Sequence, residues 1–181
     1  KNNKILAIIP ARKGSKRIPK KNLRKFNGKP LIYWSIKAAV ESKYIDKVIV
    51  STDSKLIKAI SIKYGSDVPF IRPKKISTSS SKSSDVIIHA LNSIKGYDYI
   101  VYLQPTSPLR NQKDIDDSIK LGINNNVKSL ASFSNSLHHD PNIIFEFDKN
   151  KKKLKKTSFA KSENKRSSYF VLNGAIFLLE G

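Results

Sequence analysis

Cysteine and methionine are both absent from the 181 residues. Without cysteine there is no disulfide framework, no thiolate metal site and no thiol nucleophile. Without methionine, residue 1 is not expected to be a translated start. Acidic side chains are scarce: 14 Asp and Glu stand against 35 Lys and Arg, for a formal net charge of +21. No apolar run approaches the roughly 18 residues of a membrane span. The stretch Ile5-Leu6-Ala7-Ile8-Ile9-Pro10 that follows Lys1–Lys4 is too short for a secretory signal. A cytoplasmic protein with no membrane partner is expected. At 39% apolar residues the chain lies above the disordered range, and its length suits one domain with a small appendage.

The positive charge suggests nucleic acid first, but its make-up argues against that. Of the cations 29 are Lys and only 6 are Arg, and Arg carries bidentate phosphate and base recognition. The lysines are spread along the chain, except for six in the eight residues Lys149–Lys156, which suit a solvated loop or hairpin tip. A basic field of this kind still steers small polyanions such as nucleotides.

Hydrophobic patterning alternates strands with helices. Ile5–Ile9 predicts a strand buried on both faces, followed by a long basic loop over 11–29. Pro30 is expected at a helix N1 position, opening a helix through Val40. Val48–Val50 predicts a second strand, Leu56–Tyr64 a helix ended by Gly65, and Val68–Ile71 a short strand. Residues 72–83 form a Ser-rich loop, either a flexible linker or a segment ordered by ligand. Helical spacing returns over 84–95. Tyr99–Leu103 predicts a third strand, and Asn111 caps a helix carrying Ile115, Ile119 and Ile123. A strand over 127–133, a hairpin around 143–156 and a final strand over 170–179, interrupted at Asn173-Gly174, complete the chain. The expected architecture is a three-layer, Rossmann-like α/β fold with a mainly parallel sheet and a small β-hairpin extension. Ligands of such sheets bind beyond the carboxyl ends of the strands. The loops leaving those ends, 10–29, 51–54 and 104–111, are rich in polar and charged groups.

The first of these loops packs six cations, Gly14 and Ser15 into residues 10–22. Glycine lets backbone approach an anion, and successive amides can form a donor nest. Arg12 and Lys16 could neutralise a triphosphate and the charge developed as it is cleaved. Neither a Walker loop nor a dinucleotide fingerprint is present.

Arg12-x-Gly14-Ser15-Lys16-Arg17-Ile18-Pro19-x-Lys21-Asn22, followed by Phe26-x-Gly28-Lys29-Pro30-Leu31, resembles the opening motif of the acylneuraminate cytidylyltransferase (CMP-sialic acid synthetase) family. The resemblance continues through Val50-Ser51-Thr52-Asp53, Arg72-Pro73, Leu103-Gln104-Pro105-Thr106-Ser107-Pro108-Leu109-Arg110 and Leu172-Asn173-Gly174-Ala175-Ile176-Phe177. It implies a single nucleotidyltransferase domain over 1–181 that uses CTP, a 2-keto sugar acid and Mg²⁺, and releases CMP-sugar and pyrophosphate. It implies catalytic roles for Arg12, Lys16 and Lys21. The nucleotide would be held by Ala11, Arg12, Gly14, Ser15, Lys16, Asn22, Arg72 and Ser83, and the sugar acid by Gln104, Thr106, Ser107 and Asn173. A homodimer built through 135–170 is implied in the same way.

Several positions keep two readings. Asp53 either caps the next helix or serves as a weak metal candidate. Asn173 either orients a turn or meets substrate, and Ser83 either caps its helix or meets the nucleotide. His138-His139 is read as a loop or sugar-side element, since neighbouring strand residues face opposite ways and rarely chelate one ion.

Three departures from the family pattern stand out. The Asp-x-Asp metal segment expected downstream of the Asn-Gly-Ala strand is absent, so the chain reads as truncated at its C-terminus and weak or no transferase activity is expected of it alone. The Arg-Gln pair ahead of that strand has no counterpart in Ser162-Glu163-Asn164-Lys165-Arg166. Ser77–Ser81 carry hydroxyls where the family has an Asp. The motif at 104–110 favours a sialic- or legionaminic-type substrate over pseudaminic or eight-carbon keto-deoxy acids. The alternatives are a non-catalytic nucleotide-binding fragment and a basic nucleic-acid-binding module.

Overall fold

The computed structural model describes residues 3–135, 144–148, 153–156 and 169–181. Two compact units emerge. One comprises residues up to Leu130 together with Ala175–Gly181; the other lies within Ala131–Gly174.

The first unit is built on β1 (Ile5–Pro10), β4 (Lys47–Ser51) and β5 (Tyr99–Tyr102), with the short β2 (Lys25–Phe26) and β3 (Lys29–Pro30) forming a separate hairpin. β1 pairs in parallel with β4 on one side and with β5 on the other. The last residues of β9 (Tyr169–Glu180) add an antiparallel edge on β5. Helices α1 (Leu31–Val40), α2 (Lys55–Lys63), α3 (Ser83–Ser93) and α4 (Gln112–Asn124) connect the strands.

Strand alternation divides the core into two faces. Ile5, Ala7 and Ile9 pack with Ile32 and Ile36 of α1, Ile57 of α2 and Ile115 and Ile119 of α4. Leu6 and Ile8 face the other way, with Val86 and Ala90 of α3. Three layers result, because a central parallel strand must bury both faces. α4 approaches β9 so closely that a Cβ on Gly122 would clash with the Leu178 side chain.

In the second unit β6 (Ser129–Asn135) pairs with β9, as does β7 (Ile144–Asp148), and β7 also pairs with β8 (Lys153–Lys156). The hairpin anticipated around 143–156 is thus present, with part of the lysine-rich run in β8. His138-His139, Ser162–Arg166 and most of the expected dimer segment lie outside the described residues.

Four local expectations need correction. Val68–Ile71 form no strand: Asp67 makes one parallel bridge to Ile49, and Pro69 then lacks the N–H to extend the ladder. Pro30 sits at the N-cap, with extended backbone that pairs it with Lys25. Asn173-Gly174 does not interrupt β9; Gly174 takes φ +70°, which glycine adopts without a steric penalty, and the strand continues. The 11–29 loop also contains the β2–β3 hairpin, turned at Asn27 (φ 46°) and Gly28 (φ 77°). Asn-Gly is the strongest short-range signal for that turn.

Candidate functional site

The chain leaves β1 for β4 on one side and later places β5 on the other. This reversal opens a crevice at the strands' carboxyl ends, the usual binding place in open α/β sheets. A cleft of about 200 Å³ lies there, lined by Pro10 at the end of β1, by Arg12 just after it, and by Tyr102, Gln104, Pro105 and Thr106 at the end of β5. Gly14, Ser15, Lys21 and Asn22 supply another wall, and Arg72, Thr78, Ser79, Ser81, Lys82 and Ser83 close it. Four of its lining residues are cations, Arg12, Lys21, Arg72 and Lys82, and none is a carboxylate.

The basic loop is held by polar ties. Asp53 accepts a hydrogen bond from the Lys13 backbone N–H at 2.6 Å, and the Asn22 amide donates to the Arg12 carbonyl at 3.0 Å. The helix cap that Asp53 was a candidate for belongs to Ser54, whose hydroxyl accepts from the Ile57 N–H. A Cβ on Gly14 would stand 3.7 Å from Arg12 Nη1, so the missing side chain leaves room beside that guanidinium. Burial, then the neighbouring Arg12 and Arg17 charges, lower the Lys21 pKa below its ordinary value.

That crowding has a pH consequence. In the folded protein Lys21 gives up its proton more readily than in the unfolded chain. Its charge therefore costs stability at neutral pH, and this cost is relieved as pH rises through the lowered pKa toward 10.5. A bound phosphate favours the charged ammonium and reverses the shift. Binding of a nucleoside triphosphate is expected to take up protons and to weaken as pH rises through the Lys21 pKa of the free protein. Calorimetric titrations in buffers of different ionisation enthalpy measure that uptake, and Lys21→Met should remove it.

Arg72 is 4% exposed, and its Nε and Nη2 have no hydrogen-bond partner among the described residues. Burial pulls its pKa down, opposed by Asp53 and Tyr102 nearby. A buried guanidinium without partners is costly, and here it stands at the wall of a cleft. Arg110 is also buried, but it is engaged: it donates to Gln104 O at 3.3 Å, Ala175 O at 2.7 Å and Ser35 Oγ at 2.6 Å. Burial pushes its pKa down to about 10, which leaves it charged at neutral pH. It pins the 104–110 loop, in which the Thr106 hydroxyl donates to Gln104 Oε1.

The residues singled out from sequence are distributed unevenly. Arg12, Gly14, Ser15, Lys21, Asn22, Arg72, Ser83, Gln104 and Thr106 share the cleft. Ala11 is fully buried in the core, with its backbone N–H bonded to Ser51 O. Lys16 is exposed and outside the lining. Ser107 spends its backbone on a turn, donating to Gln104 O and accepting from Arg110 N. Asn173 belongs to the second unit, where its side chain bridges Ser132 and Ser134. Ser83 is the first residue of α3, after Lys82 at the N-cap. Tyr102 and Lys82 line the cleft without having been singled out. Tyr102 was hidden in a hydrophobic run, and Lys82 among many lysines. No cluster of three or more His, Asp or Glu that could hold a metal occurs among the described residues. The Mg²⁺ implied by resemblance therefore finds no ready protein ligand set in them.

A basic cleft at the switch point of a three-layer α/β sheet, with a glycine-containing basic loop on one wall, fits the nucleotidyltransferase fold. The cytidylyltransferase family model matches residues 6–176, and the chain belongs to that family. It is similar to the CMP-N,N'-diacetyllegionaminic acid synthase of Legionella pneumophila, with 40% identity over 65% of this chain and 53% of that protein. It is also similar to the pseudaminic acid cytidylyltransferase of Campylobacter jejuni, with 32% identity over 98% of this chain and 82% of that protein. The chain thus spans about half of the first relative's length and most of the second's. Among solved structures, a CMP:2-keto-3-deoxy-manno-octonic acid synthetase complexed with CTP shares the fold, with TM-score 0.75, 17% identity and coverage of 98% of this chain and 74% of that one. No described helix is long and apolar enough to cross a membrane.

Proposed function

We propose that this protein transfers CMP from CTP to a 2-keto sugar acid of the sialic or legionaminic type. The observation that carries the proposal is the cleft at the β1/β5 switch point, with four cations and no carboxylate in its lining. Arg12 and Lys21 hold the triphosphate. Gly14 and Ser15 shape the loop beneath it, and Asn22 fixes the Arg12 backbone. Lys16, exposed on the same loop, steers the incoming polyanion.

Arg72 meets the base. A guanidinium offers donors only. Cytosine places two acceptors, O2 and N3, side by side, whereas uracil carries a proton at N3. Unpaired Arg72 donors therefore favour cytosine. Gln104 and Thr106 receive the sugar acid. Its anomeric hydroxyl oxygen attacks the α-phosphorus, the bond to the β-phosphate bridging oxygen breaks, and the hydroxyl proton leaves with the pyrophosphate or to water. Positioning and charge neutralisation supply most of the rate in such transfers. Mg²⁺ would enter with the triphosphate, and a homodimer formed through 135–170 is part of the same proposal. So is a cytoplasmic setting, because nucleoside triphosphates are intracellular.

The test has two stages. CTP, UTP, ATP and a single-stranded oligonucleotide are compared for binding by calorimetry, and pyrophosphate release is then followed with CTP, Mg²⁺ and a panel of keto sugar acids. CTP is expected to bind best, and Arg12→Ala should weaken it at least about tenfold, the value of one charged hydrogen bond. Binding of the oligonucleotide without CTP would reject the proposal. Turnover is followed in this chain and in one extended by the Asp-x-Asp segment, and CTP binding without turnover on any sugar acid in either would leave a nucleotide-binding protein only.

A further inference from the structure

We propose that a second basic cavity, which shares Arg12 and Asn22 with the nucleotide cleft, receives the pyrophosphate released by the transfer. The inference rests on the cytidylyl assignment and deepens it by giving the leaving group a site of its own.

The cavity measures about 570 Å³ and lies between the basic loop and the start of α2. Arg12 and Asn22 line both spaces, so the two meet at the residue that holds the triphosphate. The rest of the rim differs from that of the cleft. Lys13 and Lys20 come from the loop, at two positions that the Arg12–Asn22 motif leaves open, and Lys55 is the first residue of α2. All three lysines are exposed, and none makes an ion pair among the described residues. Leu23, Leu56 and Ile57 give the cavity an apolar wall.

Four cations thus face one carboxylate, Asp53, and one oxygen of that carboxylate already accepts from the Lys13 backbone N–H at 2.6 Å. A concave surface lined mainly by one sign of charge, with a low-dielectric wall, concentrates the field and gathers counter-ions. The first turn of α2 carries no acidic side chain, and its dipole adds to the same sign. Such a space suits a compact polyanion, and the transfer makes one. As the bond to the α-phosphorus breaks, pyrophosphate gains charge beside Arg12 and Lys21. Lys13, Lys20 and Lys55 then offer it a place past Arg12 while the CMP-sugar still fills the cleft.

Titration of inorganic pyrophosphate into CTP-saturated protein, followed by calorimetry without metal or sugar acid, tests the site. The saturated protein is expected to bind pyrophosphate in addition to CTP. Lys20→Asn and Lys55→Gln remove two rim charges. Asn accepts the left-handed backbone of Lys20 (φ 52°, ψ 34°), and Lys55 is exposed. The double variant should bind pyrophosphate at least about tenfold more weakly, in the range of one charged hydrogen bond. Its CTP affinity should stay within about threefold of wild type at physiological ionic strength, where charges beyond roughly 8 Å are screened. If CTP-saturated protein binds no pyrophosphate, or the double variant binds it as wild type does, the inference falls and the cytidylyl assignment stands. Equal weakening of CTP and pyrophosphate would likewise assign the two lysines to the cleft and sink the second site. Should the double variant not fold, unchanged pyrophosphate affinity in Lys55→Gln decides against it. A protein that binds pyrophosphate but not CTP would overturn the assignment, and this inference with it.

Discussion

Arg72→Met is expected to lower CTP affinity about 100-fold while leaving the folded protein as stable or more stable. Two charged hydrogen bonds at about 1.5–3 kcal/mol each support the first figure. The second follows from burial: Arg72 is 4% exposed, with Nε and Nη2 unpaired among the described residues. An apolar side chain of similar length removes that desolvation cost, a gain of about 1–2 kcal/mol. For a domain of this size the gain amounts to a few degrees in melting temperature. Stability set aside for a binding group in this way is common at functional sites. Arg72→Lys should not restore binding, since an ammonium lacks the planar fork. Calorimetry with CTP and thermal unfolding of the same samples check both halves. A lowered melting temperature with unchanged CTP affinity would make Arg72 a structural residue.

Arg110→Met should behave in the opposite way. Arg110 is 7% exposed and donates to two carbonyls and a hydroxyl on three separate segments. Its loss removes a charged donor from each of them, at a cost of about 2–4 kcal/mol. A fall of roughly 5–15 °C in melting temperature is expected. CTP affinity measured well below the transition should change far less than in Arg72→Met, because Arg110 acts on the cleft only by holding the Gln104–Thr106 loop. Urea unfolding of both variants beside wild type tests the contrast. Equal stability of wild type and Arg110→Met would refute the pinning role.

The two arginines show what reading along the chain can and cannot separate. Each ends or begins a polar motif beside proline, Arg72-Pro73 and Pro108-Leu109-Arg110, and nothing in the local sequence tells them apart. One meets Ser35, 75 positions away, and Ala175, 65 away. The other has no such partner among the described residues. The basic loop was visible because six cations around Gly14 and Ser15 follow a buried strand, yet its members divide in space. Arg12 and Lys21 turn into the cleft, Lys16 lies outside its lining, and Ala11 enters the core. Asp53 is tied to Lys13, 40 positions earlier in the chain, a contact that no motif spacing reveals.

Composition and the alternation of apolar strands with amphipathic helices by themselves determined an α/β fold with a mainly parallel sheet, and the long polar motifs carried the resemblance to the cytidylyltransferase family. These are local or periodic properties, set by side-chain spacing and by the need to cover both faces of a parallel sheet. Only the tertiary structure decided which cations share one cleft, which buried arginine finds no side-chain partner among the described residues, and that Tyr102, Ser83 and Arg72 line the same crevice. Those outcomes depend on the order β4-β1-β5, which draws residues tens of positions apart to one crevice, where burial and proximity set their charges and hydrogen bonds.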